Sequence, residues 1–315
     1  GLHNRVPRHI RRAPFPLDET RRYRASRRVE LEDYQVLELY MALGGIPHYL
    51  KDIQRGESAA QCIDRVCFSS AGLLRDEFSR VYSSLFDDAG RHERVIRALA
   101  SRRDGLTRNE LLAITGLPTG GWTTEVLGEL EASGFVMRTA QFGRETKDVV
   151  YRVADEHSLF HLRWIEKHRG RAEGTWLRLR GSPAWRAWSG YSFEGICLKH
   201  VDGLRRALGI SGVQTAESTW HHRTRNDDED GAQIDLVIDR KDACINLCEM
   251  KFSEGEVVID KAYARALVNK RETFRRVTGT RKSLFTTMVT SHGVKANAHR
   301  DAVVDASLDM TALFG

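Results

Sequence analysis

The chain has 315 residues, enough for two or three domains rather than one small core. Its 41% hydrophobic and 29% charged residues are those of an ordinary globular protein, and no apolar run approaches the ~20 residues of a membrane span, so a cytoplasmic protein with no membrane partner is expected. A net charge of +6 admits nucleic acid as a partner without requiring it, since a solvated basic surface gives the same number.

The arginine-rich start has no apolar stretch of the kind a signal peptide needs. Residues 1–15 read as a single strand, and Arg5, Arg8, Arg11, Arg12, Arg21, Arg22, Arg24, Arg27 and Arg28 concentrate positive charge near it. Pro14 and Pro16 break structure, and Asp18 is the expected N-cap of a first helix. Leu37, Tyr40, Met41 and Leu43 mark one face of the next helix, which Gly44-Gly45 should end and Pro47 restart. Residues 57–87 read as one amphipathic helix, with Leu73, Leu74, Phe78, Val81, Leu85 and Phe86 at helical spacing.

Residues 91–153 predict three helices and a hairpin. Thr107 followed by Glu110 is a capping box for the second helix, Gly134 closes the third, and two alternating strands flank a polar Gly143-Arg144 turn. That order is the winged-helix pattern. Its third helix, residues 119–133, carries Glu125, Glu129 and Glu131 and no lysine or arginine. Those acids repel phosphate, which favours a protein contact through this unit over DNA reading.

Further on, Trp164, Trp185 and Trp188 are expected to pack domains together. Trp220-His221-His222-Arg223 raises a metal question, but adjacent histidines on a strand point apart. The acidic run Asp227 to Asp230 reads as a solvated loop. Five scattered cysteines, Cys62, Cys67, Cys197, Cys244 and Cys248, form no disulfide framework. Cys244 and Cys248 share a strand face, but no second Cys/His pair completes a tetrahedral site, so they are read as core residues.

The stretch "AQIDLVIDRKDACINLCEMKF" carries the chemistry. Residues 232–240 and 244–252 read as antiparallel strands around a turn at Lys241-Asp242-Ala243, a register in which Asp235 opposes Glu249. Opposed carboxylates repel unless compensated, and at a Cβ separation of roughly 5 Å they suit a shared divalent cation. Lys251 falls on the same face, beside apolar Val237 and Leu247. Two carboxylates that fix Mg²⁺ and an ammonium that positions a water or stabilises developing charge make a layout for phosphodiester cleavage.

Asp235 followed by Glu249-Met250-Lys251 resembles the PD-(D/E)XK nuclease signature, with Ile234 where the name has proline. Glu194 in "YSFEGICLKH" matches the acid that many such domains place on the helix before the hairpin, and the helix "DKAYARALVNKRETFRRVTG" and strand "KSLFTTMVTSHG" fit the elements that follow. More widely, "RAPFPLDETRRY", "LELYMALGGIPHYL", the winged-helix pattern and "GAQIDLVIDR" together resemble a prokaryotic family of AAA-like, STAND-type ATPases with a C-terminal nuclease-like domain. Relatives in that family carry a P-loop upstream, and no GxxxxGK[ST] occurs in this chain.

The resemblance implies an α/β chain of three parts. Residues 1–90 would be the last part of an ATPase core with its helical lid and a linker, residues 91–155 a winged helix, and residues 156–315 a restriction-endonuclease-like domain with a central mixed sheet. It implies Mg²⁺ or Mn²⁺ held by Asp235, Glu249 and the carbonyl of Met250, Lys251 activating or orienting the water, and Glu194 as an outer or second-metal ligand. Lys261 could contact phosphate. DNA would be the substrate, with RNA left open. ATP would be used only in a longer form of the protein, with no ATPase activity in this chain alone. The rival expectation is a nuclease-derived domain without chemistry, serving as a DNA- or protein-binding effector of the ATPase.

Overall fold

The structure is a computed structural model that describes residues 13–144, 149–170, 173–222 and 231–315. The strand expected at the start, Arg223 and the run Asp227 to Asp230 lie outside those residues, apart from residues 13–15.

Helices α1 (Leu17–Ser26), α2 (Asp33–Leu43), α3 (Pro47–Leu50), α4 (Ala59–Phe68) and α5 (Glu77–Leu85) come first. Asp18 is not the cap of α1. Pro16 takes that place with no side-chain hydrogen bond, and Asp18 sits in the first turn, paired with Arg22. Gly44 ends α2 at φ +65°, a conformation that favours glycine. The next residue must also be glycine, since a Cβ on Gly45 would sit 1.8 Å from the Phe15 carbonyl oxygen. The single helix expected over 57–87 is two. Gly72 turns the chain back against α4, where a Cβ would meet the Val66 carbonyl oxygen at 2.6 Å, and the Leu74 N–H bonds that same oxygen. Leu85, expected on a buried face, is exposed.

A second group follows: α6 (Ala89–Ala100), β1 (Leu106–Thr107), α7 (Arg108–Thr115), α8 (Gly121–Ala132), β2 (Val136–Thr139) and β3 (Val150–Val153). The strands form a small antiparallel sheet in the order β1-β3-β2. The Thr107–Glu110 capping box is present, with the Thr107 hydroxyl accepting the Glu110 N–H and the Glu110 carboxylate accepting the Thr107 N–H.

Helix α9 (Glu156–Phe160) runs on as a π turn, His161–Ile165, and a 3₁₀ turn, Glu166–His168. Then come α10 (Thr175–Leu179), α11 (Pro183–Lys199), α12 (Val201–Ala207), β4 (Thr215–His222), β5 (Ala232–Arg240), β6 (Cys244–Lys251), α13 (Lys261–Thr278), β7 (Ser283–Thr290), α14 (Ala298–Val303) and β8 (Ala306–Leu308). The five-stranded sheet runs β4-β5-β6-β7-β8, antiparallel through β6 and parallel from β6 to β8. The chain is thus mixed α/β.

The sheet is covered on both faces. Leu236, Ile238, Cys248 and Met250 pack with Trp185, Phe193 and Ile196 of α11, while Val237, Ile245 and Leu247 pack under Phe274 of α13. The α11-side core runs on without a break into Leu17, Leu37, Met41 and Leu74, so the first helices and the large sheet share one apolar interior. Trp164 and Trp188 meet Trp176 there, edge to face at 5.4 and 5.8 Å, whereas Trp185 packs on Phe252. On β4, His221 is exposed and His222 stacks beside Trp220, so the two imidazoles do not converge. All five cysteines are free.

Candidate functional site

The hairpin places the acids. In β5 and β6, Val237 opposes Leu247 and Leu236 opposes Cys248, the register expected from the sequence, and Asp235 and Glu249 lie one step beyond the last pair. There the ladder changes. The Asp235 Oδ2, rather than the β5 backbone, accepts the Met250 N–H at 2.9 Å. On its other side β5 carries a bulge: Ser218 pairs with Val237 and Trp220 with Ile234, leaving Asp235 and Leu236 opposite Thr219 alone. The extra residue re-aims the strand where the acid sits, as bulges do beside functional sites.

Asp235 and Glu249 are 6% and 5% exposed, but their surroundings differ. Glu249 accepts Lys251 Nζ at 2.9 Å on Oε1 and Lys270 Nζ at 2.5 Å on Oε2, with the Tyr263 hydroxyl at 3.4 Å. Burial alone would raise its carboxyl pKa, yet the two ammoniums outweigh burial and hold it below the ordinary value. Asp235 has no ion pair among the described residues. Burial, with the nearby charges of Glu249 and Glu194 adding, pushes its carboxyl up to about 7. Lys251 is the reverse case: burial opposes its charge, but Glu249 outweighs burial and keeps the ammonium above its ordinary value. It is therefore a fixed positive charge at neutral pH and not a base.

Glu194 projects from α11, whose N-terminus is set by Ser182 accepting the Trp185 N–H and by Pro183 in the first turn. Its carboxylate is 1% exposed and is held from the other unit: Arg152 Nη1 of β3 donates to Oε1 at 2.8 Å, and Arg103 Nη2 reaches Oε2 at 3.4 Å. The same unit touches the sheet a second time. The Ala140 carbonyl accepts the Thr219 N–H and the Phe142 N–H donates to the Thr219 carbonyl, both at 2.9 Å, at the residue facing the bulge. Phe142 then packs on Phe274 of α13.

The structure thus gathers Asp235, Glu249, Lys251 and Glu194 around the end of the hairpin. Lys261, at the start of α13, is exposed there. Lys270, Tyr263, Arg152 and Arg103 were not singled out from sequence. Two of them left a signal. Lys270 interrupts the stripe Tyr263, Leu267, Phe274 at helical spacing, and Arg152 shares strand parity with buried Val150. Arg103, in a loop, left none.

Among the described residues no group of three or more His, Cys, Asp or Glu side chains is arranged to hold a metal ion. Asp235, Glu249 and the Met250 carbonyl nonetheless form an all-oxygen donor set of the kind hard divalent cations take. The crowding of carboxylates that raises Asp235 is a local excess of negative charge that a cation would relieve. The residues fit such an ion. A cavity of about 20 Å³ beside Glu249 and Lys270 has room for a water molecule and no more. No protein family model, curated protein or solved structure matches the chain.

Proposed function

We propose that the hairpin is the centre of a metal-dependent phosphodiesterase acting on DNA, within a PD-(D/E)XK-like domain governed by a winged-helix unit and, in a longer form, by an ATPase. The observation that carries this reading is Asp235, a buried carboxylate with no ion pair among the described residues, beside two more carboxylates and the fixed charge of Lys251. A structural acid is ordinarily paired or exposed, because burying an unpaired charge costs several kcal/mol or forces neutralisation. An acid so placed is instead typical of sites where function sets the pKa.

Asp235, Glu249 and the Met250 carbonyl would hold Mg²⁺ or Mn²⁺, whose chemistry when bound is to polarise the scissile phosphate. Asp235 is kept in place by the Met250 N–H, and Glu249 by Lys270. The Lys251 side chain is 41% exposed and the most open of the group, so its ammonium can meet the phosphate and stabilise charge growing on it. Glu194 would join only after leaving Arg152 and Arg103.

That last contact favours a second reading. A Glu194 saturated by two arginines serves equally well as the ionic latch of a domain without chemistry, which would act as a DNA- or protein-binding arm. Cleavage of plasmid and single-stranded DNA with Mg²⁺ or Mn²⁺ separates the two. The enzyme cuts, and Asp235→Ala and Lys251→Ala abolish cutting. Cutting that survives both variants, or no cutting with no metal bound, leaves the binding arm.

A further inference from the structure

A cleft of about 480 Å³ lies between the end of α6, the π turn His161–Ile165 and the middle of α11. Its volume falls in the ~300–1,000 Å³ range of small-molecule sites. Four cations line it: Arg97, Arg103, Arg163 and Lys167. Glu166 is the one carboxylate on the wall, and it is taken by Arg97 through two bonds of 2.9 and 2.7 Å. Arg163 and Lys167 have no ion pair among the described residues, and Arg103 is held only by its 3.4 Å contact with Glu194. Arg163 lies over the Trp164 ring, so three cations in one cleft lack a firm carboxylate partner among the described residues, which calls for a ligand with two or three negative charges.

The rest of the wall is apolar. Leu159, Leu162, Ala187 and Trp188 line it, with Tyr191 at one side. Trp188 is 4% exposed, and its indole N–H has no acceptor among the described residues. The π turn marks the same wall, since such turns in helices are frequent at functional sites.

We infer that this cleft binds a small phosphate ester of nucleotide size, with the phosphates on Arg103, Arg163 and Lys167 and the flat base along the Trp188 wall. Planar guanidinium groups grip phosphate oxygens in pairs, and the apolar wall suits an aromatic ring. Binding is independent of the nuclease reading. Its consequence for that reading is that phosphate on Arg103 competes with Glu194 for the same guanidinium.

The test is a calorimetric and tryptophan-fluorescence titration of the whole chain with nucleoside 5′-diphosphates carrying each base, against inorganic phosphate and adenosine. A nucleoside diphosphate should bind at least tenfold more tightly than either control. Arg163→Ala/Lys167→Ala should weaken it more than tenfold. Both cations are exposed, so the double variant keeps the fold. Equal affinity for inorganic phosphate, binding untouched by the double variant, or no binding would each overturn the inference. Capture of a 5′-phosphorylated oligonucleotide but no mononucleotide would overturn it too, in favour of a nucleic-acid path.

Discussion

The two ends of the candidate site solve the same electrostatic problem differently. At the hairpin, Glu249 is neutralised from within its own layer, by Lys251 on the same strand and Lys270 on the helix packed over it. At the seam, Glu194 is neutralised from outside, by Arg103 and Arg152 of the 89–153 unit. The first arrangement persists as long as the sheet does. The second lasts only while two units stay docked. A buried carboxylate whose countercharge arrives on a separate unit is conditional, and Asp235, with no ion pair among the described residues, lies between the two.

The largest effect should come from breaking the seam. Arg152 is 4% exposed, and truncating one partner of a buried pair strands the other charge, at about 3–5 kcal/mol. Arg152→Ala should lose that much in urea unfolding, while Arg152→Met paired with Glu194→Gln should recover most of it. A loss below ~1 kcal/mol for Arg152→Ala would mean that the ion pair does not hold the units together.

The contrast also explains what was legible in the sequence. The hairpin announces itself through local alternation, and alternation with a three-residue turn sets the register that brings Asp235 to Glu249. The bulge at Asp235–Leu236 could not be read, because it depends on pairing with β4, which lies across a long connection. The seam was closed to sequence reasoning for the same reason: Arg152 and Glu194 meet only through folding, and nothing near either residue names the other. One helix over 57–87 is what the sequence suggests, because apolar spacing continues through the break between α4 and α5. What breaks it is Gly72 lying against the α4 backbone, a contact that periodicity does not encode.

Acid should weaken the packing of the π turn on α5. His161, in the π turn, stacks on Phe78 at 4.8 Å, and burial, with His157 adding, holds its pKa down to about 3 from the ordinary 6.5. A base depressed in the folded state contributes stability that is full above pH 6.5 and falls as the unfolded chain takes up the proton below it. Between pH 7.5 and 5 the loss from this one group is about 2 kcal/mol. His161→Phe keeps the stacking and should remove that share of the pH dependence. An unchanged slope would show that His161 is already charged when folded.

A cation at the hairpin should register as heat stability. At ten times its dissociation constant Mg²⁺ adds about 1.4 kcal/mol, or roughly 2–4 °C in a chain of this size. Asp235→Asn should abolish the rise and Lys261→Ala should not, because Lys261 stands at the exposed start of α13. A rise that survives Asp235→Asn would place the ion elsewhere.

The smallest effect on stability is the most informative about control. The Arg103 side chain is 58% exposed and only 3.4 Å from Glu194, so Arg103→Ala should cost no more than ~1 kcal/mol. If the seam restrains the site, the same change frees one oxygen of Glu194 and should raise metal-dependent cleavage several-fold, with Arg152 still holding the units in place. Cleavage that falls instead would make Arg103 a substrate contact, since an exposed guanidinium beside a phosphodiesterase site can grip a phosphate as readily as a carboxylate. The direction of that single change therefore separates a latch from a grip, and the near-neutral stability cost keeps either result from being a folding defect.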